Sequence, residues 1–204
     1  MLKSKTARNF FFLIGSFVII DLLSYLALIF PGLNQAIFVI LTLVCLGLSF
    51  YRLEYGLLMV LAELIIGSMG HMFVFPLGGY QLPIRMALWG IIMAVFIIRF
   101  LWQLIKDKKQ SQYLKKIKNF SPLKYFVWLA AFVVISLANG FLRGQDLNLI
   151  FSDFNSWLYW LLLLPAVVVY SRSDTEEKKN ATIFNNLKTI FLSGAIFLSL
   201  KTLF

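Results

Sequence analysis

The chain is poor in the residue types that most protein chemistry needs. Its 204 residues include one cysteine and one histidine, and only 14% are charged, nine of them acidic. One cysteine rules out an internal disulfide. One histidine and one cysteine leave no set of nitrogen and sulfur ligands spaced for a transition metal. No glycine-rich phosphate loop and no dinucleotide-binding glycine pattern occurs, so neither metal nor nucleotide cofactor is expected. Soluble domains carry roughly 25% charged residues, and the deficit here argues against a water-soluble fold.

In their place are apolar residues, 60% of the chain, with 21 phenylalanines and a formal net charge of +10. A basic balance on a soluble surface would point to nucleic acid. Here the cations sit in short segments between apolar runs, where they set membrane topology and attract anionic headgroups. The bilayer, not nucleic acid, is the expected partner.

Spanning a hydrocarbon core takes about 20 apolar residues, and the chain offers such runs repeatedly. The pattern predicts an all-α, polytopic transmembrane helix bundle of about seven spans in a single domain, 1–204. The helices are expected near 10–30, 34–50, 54–74, 83–105, 122–138, 151–170 and 187–204. Pro31-Gly32 and Gly78-Gly79 separate neighbouring runs. Pro83 and Pro122 stand where a first helical turn favours proline, and Pro165 predicts a kink in the sixth run. Cys45 lies inside an apolar run and reads as a packing residue.

With the N-terminus in the cytoplasm, all but three of the 19 basic residues fall on the inner side, the exceptions being Arg85, Arg143 and Lys201. That asymmetry predicts the orientation. The longest polar segment, KDKKQSQYLKKIKN over 106–119, is then a cytoplasmic loop against anionic lipid. Tyr80, Trp102, Tyr125, Trp157 and Tyr170 at the span ends fit an aromatic belt.

Charges at membrane depth are costly and need a reason. Asp21 lies along the first helix and Glu63 along the third, within LLMVLAELIIG. Each can serve as a proton-relay group, as the partner of a buried arginine, or as a protonated carboxyl bonded to a neighbouring helix. On the outer side, Arg85 opens the fourth helix in QLPIRMALWG and Arg143 lies in ANGFLRGQDLNLIFSDFN. A guanidinium fork there suits a phosphate or diphosphate, while snorkelling or pairing with Asp146 or Asp153 is the plainer alternative. Gly140 and Gly144 either let backbone approach a ligand or mark a turn. His71, in GSMGHMFVF, has no evident nucleophile beside it and reads as an interfacial structural residue.

Three stretches, GSMGHMFVFPLGGYQLPIRMALWGIIMAVFIIRFL, NGFLRG and DLNLIFSDFNSWLYWLLLLP, together resemble the N-terminal half of bacterial O-antigen ligase and O-antigen polymerase membrane proteins, over roughly residues 55–170. The resemblance implies transfer of glycan from an undecaprenyl diphosphate carrier at the outer face of the cytoplasmic membrane, in cell-surface polysaccharide biosynthesis, without metal or nucleotide. It implies a polyprenyl-diphosphate-linked glycan as partner. Arg85 and Arg143 map onto outer-face arginines that contact the carrier diphosphate. The family's large outer loop with its functional histidine and arginines belongs to its C-terminal half and has no counterpart here. The chain is therefore expected to be a truncated part that is inert alone. A transporter or flippase component, with Glu63 and Asp21 as coupling groups, and a non-catalytic membrane scaffold are the alternatives.

Overall fold

A computed structural model describes residues 2–67, 73–77, 80–106, 117–118, 120–146, 150, 157–170 and 177–203. His71, Asp153 and Gly78-Gly79 lie outside the described residues. Within them the chain forms seven α-helices and one two-stranded hairpin. In chain order these are α1 (Leu2–Ile29), α2 (Pro31–Tyr51), α3 (Leu53–Ile66), β1 (Val74–Leu77), β2 (Tyr80–Pro83), α4 (Ile84–Lys106), α5 (Leu123–Leu142), a 3₁₀ turn (Tyr159–Leu162) running into α6 (Leu163–Tyr170), and α7 (Glu177–Lys201).

Four helical stretches are long and apolar enough to cross a membrane: Arg8–Ile29, Pro31–Tyr51, Ile84–Lys106 and Leu123–Leu142. They carry the outward apolar surface such a helix shows to lipid, including Phe12, Ile40, Leu43, Trp102 and Phe132, all exposed. Three hydroxyls in these segments fold back on their own helices. Ser16 donates to the Phe12 carbonyl at 2.9 Å, Thr42 to Phe38 at 2.7 Å and Ser49 to Cys45 at 2.6 Å, so none needs water where hydrocarbon offers none.

Three boundaries differ from the pattern-based expectation. The third helix ends at Ile66 instead of 74, and from Val74 the chain forms an antiparallel hairpin in which Val74 pairs with Pro83 and Leu77 with Tyr80. The apolar run FVFPL and YQLP joined by Gly-Gly carry a hairpin signal, and of β1 only Val74 falls inside the helix expected to 74. In the sixth run, Trp157 and Leu158 are helical, a 3₁₀ turn covers Tyr159–Leu162, and Pro165 is the third residue of α6 that follows it. The last helix starts at Glu177, ten residues before the expected 187.

The chain divides into two compact units, Met1–Val95 with Arg172–Phe204, and Phe96–Ser171. In the first, α1 and α7 run parallel: Phe17 meets Phe197 edge-on at 6.0 Å and Asp21 meets Lys201 one turn further along both helices. Phe17, Phe197 and Ile66 form a buried cluster. Small residues let the helices close. A Cβ on Gly194 would stand 2.5 Å from Ile65 Cγ2, and one on Gly56 would stand 2.5 Å from Ile92 Cδ1 and collide with the Ser49 hydroxyl. The α2–α3 corner is a single extended residue, Arg52, whose side chain pairs with buried Glu54. Glu54 also sits in the first turn of α3, where the helix dipole favours an anion. In the second unit, α5 has no buried residue and carries exposed Trp128, Phe132 and Ile135.

Candidate functional site

The densest polar arrangement in the first unit is built where α3 ends and α4 begins. Fourteen helical residues from Leu53 to Ile66 rise about 21 Å at 1.5 Å each, short of the roughly 30 Å of hydrocarbon. The last carbonyls of a helix find no donor inside it and favour one from elsewhere in the chain. Arg85, in the first turn of α4, reaches this end of α3. Its Nη2 donates to the Gly67 carbonyl at 2.8 Å, and its Nε donates to Glu63 at 3.1 Å to Oε2 and 3.3 Å to Oε1.

One guanidinium thus meets a carboxylate, the Gly67 carbonyl and the negative end of the α3 dipole together, three groups that favour a cation there. Glu63 and Gly67 are four residues apart and so share a helix face. The packing is close at 67: a Cβ would lie 2.6 Å from Glu63 Oε1 and 2.8 Å from Arg85 Nη2, so the ends of both side chains would have to shift to admit one. The side chain of Glu63 is 11% exposed and that of Arg85 29%.

The hairpin brings these groups together. Val74 N–H donates to Asn34 Oδ1 at 3.2 Å, the Phe75 ring lies 5.4 Å from Phe38, and Ile84 N–H donates to the Phe73 carbonyl at 2.9 Å. The hairpin is thereby pinned to the first turns of α2, and its outgoing strand delivers Arg85 to Glu63.

Asp21 is engaged as well. It accepts a 2.7 Å bond from Lys201 Nζ, and both side chains are largely enclosed at 16% and 18% exposed. Lys201 also lies over the Phe197 ring at 5.9 Å, a favourable placement for an ammonium. This pair was not anticipated. The signal was present in the sequence as matching spacings of opposite sign, phenylalanine then aspartate on α1, phenylalanine then lysine on α7, each four residues apart.

Arg143 belongs to the second unit and is not brought together with Arg85 in one described body. It is exposed and stands at the C-cap of α5. Gly144 takes φ +66°, its N–H donates to the Phe141 carbonyl at 3.1 Å, and the Gln145 N–H donates to Gly140 at 3.2 Å. These are the two bonds of a Schellman helix end, so Gly144 is explained by the turn it makes. Arg143 is thus exposed at the C-terminal end of an apolar helix.

Among the described residues no group of three His, Cys, Asp or Glu is placed to hold a metal ion. Compared with known protein families, characterised proteins and solved structures, the chain matches none.

Proposed function

We propose that the chain is the N-terminal part of an O-antigen ligase or polymerase-like membrane glycosyltransferase, acting on an undecaprenyl-diphosphate-linked glycan at the outer face of a bacterial cytoplasmic membrane. The seven-span arrangement with a cytoplasmic N-terminus is part of this proposal. It rests on the resemblance of residues 55–170 and on the charge asymmetry of the loops. One structural observation supports it furthest: Arg143 is exposed at the Schellman turn that ends an apolar helix. A guanidinium in that setting, at a low-dielectric boundary, attracts a multivalent anion more strongly than it would in water. Its role is to bind the carrier diphosphate and offset the negative charge that grows on the leaving group.

Arg85 takes a different part. With Nε and Nη2 committed to Glu63 and Gly67, it acts on the carrier through the shape of the α3–hairpin–α4 segment. Both intramembrane acids are paired with cations, which favours this reading over a transporter in which Glu63 and Asp21 shuttle protons.

The test is genetic and chemical. Deleting the gene in its own bacterium is expected to leave lipid-linked glycan unused and to deplete the surface polysaccharide. Arg143→Ala is expected to fail to restore it, with Arg143→Lys restoring it in part. Unchanged surface polysaccharide and unchanged lipid-linked glycan on deletion would refute the proposal.

A further inference from the structure

A cavity of about 90 Å³ lies in the first unit next to the Glu63–Arg85 pair. Phe17, Ile66, Phe73 and Leu88 form its inner wall, and all four are buried. Toward the surface it is bounded by Ile20 of α1 and Leu41 of α2, both half-buried. Their neighbours Ile19, Leu22, Ile40 and Leu43 are all more than half exposed. Two of the helices that line the cavity, α1 and α2, thus have the length and hydropathy of membrane spans.

Its contents follow from its lining. A buried water needs two to four polar partners and about 30 Å³. The volume suffices for water, but Glu63 is the one polar side chain on the wall, and its carboxylate is taken by Arg85. Dry apolar cavities accept apolar guests. The ion pair presents little net charge to the cavity, so hydrocarbon loses little by approaching it. The material lying against Ile19, Ile40 and Leu43 in a membrane is acyl chain.

We infer that this cavity is a binding site for the methyl end of a phospholipid acyl chain, which enters between α1 and α2. The inference goes beyond glycan transfer and stands or falls separately, because it is read without any glycan present. Held there, the chain end fills the space under the hairpin and supports the residues that carry Arg85.

The experiment uses the whole chain in phosphatidylcholine nanodiscs with a trace of phosphatidylcholine bearing a diazirine near the methyl end of one acyl chain. Illumination is followed by mass mapping of adducts. Labelling is expected at Met59 and Phe17 as well as at exposed Ile40 and Leu43. Ala62→Phe, which fills the cavity, is expected to lower the Met59 and Phe17 adducts at least fivefold while those at Ile40 and Leu43 persist. Leu88→Phe provides a second filling variant should Ala62→Phe label buried Cys45 and Val60 and so report unfolding. Met59 and Phe17 labelled no more than Cys45 and Val60 in the unmodified chain, or labelling unchanged by both fillings, overturns the inference. Labelling of the cavity by free diazirine palmitate but not by the phospholipid overturns it too.

Discussion

Replacing Arg85 by leucine removes three favourable contacts at once, and the consequence can be worked out contact by contact. The Glu63 carboxylate, with 11% of its side chain exposed, loses its counter-ion, and the Gly67 carbonyl loses its donor. Breaking a buried pair by removing one member costs about 3–5 kcal/mol. Partial exposure of the arginine places this pair near 3 kcal/mol, and an unsatisfied carbonyl adds about 1–3 kcal/mol. Glu63→Leu is milder. Arg85 keeps its bond to Gly67 and its 29% exposure lets the head reach toward water, for a cost of about 1–3 kcal/mol.

The double variant Glu63→Leu with Arg85→Leu has no stranded charge. It should lose only the carbonyl's partner, about 1–3 kcal/mol, because an apolar replacement of a whole buried pair is often neutral. The expected order of destabilisation puts Arg85→Leu first, with the double variant less damaged than that single one. Unfolding of all four proteins in one detergent, followed by tryptophan fluorescence, measures the cycle. If the double variant costs the sum of the two singles to within about 0.5 kcal/mol, the pair is uncoupled and the reasoning is wrong.

Gly194→Val should push α7 off α3, because even a Cβ there lies 2.5 Å from Ile65 Cγ2. A loss of about 1–3 kcal/mol is expected, with partial recovery when Ile65→Ala is added, read by thermal unfolding; no recovery would place the fault elsewhere. Asn34→Ala should release the Val74 N–H and raise hydrogen exchange in 73–77 at a cost of about 1–3 kcal/mol, whereas Asn34→Asp keeps an acceptor and should leave exchange near normal.

The helical, membrane-spanning character of the chain was legible in composition alone. Long apolar runs admit few structures in lipid, because each backbone group must be bonded within its own segment, and the runs from Arg8 to Ile29, Pro31 to Tyr51, Ile84 to Lys106 and Leu123 to Leu142 are helices as expected. The same scarcity of charge marked Glu63, Asp21, Arg85 and Arg143 as residues needing a reason. What that reason is depended on contacts between distant segments. Glu63 and Arg85 lie 22 positions apart and Asp21 and Lys201 lie 180 apart, and hydropathy has no memory over such separations. Only the fold reveals that α3 ends early, that a hairpin pinned by Asn34 returns the chain, and that Arg85 thereby reaches a carboxylate instead of standing exposed as Arg143 does. Periodicity reports which medium a residue faces, whereas the partner of a charge is chosen by packing.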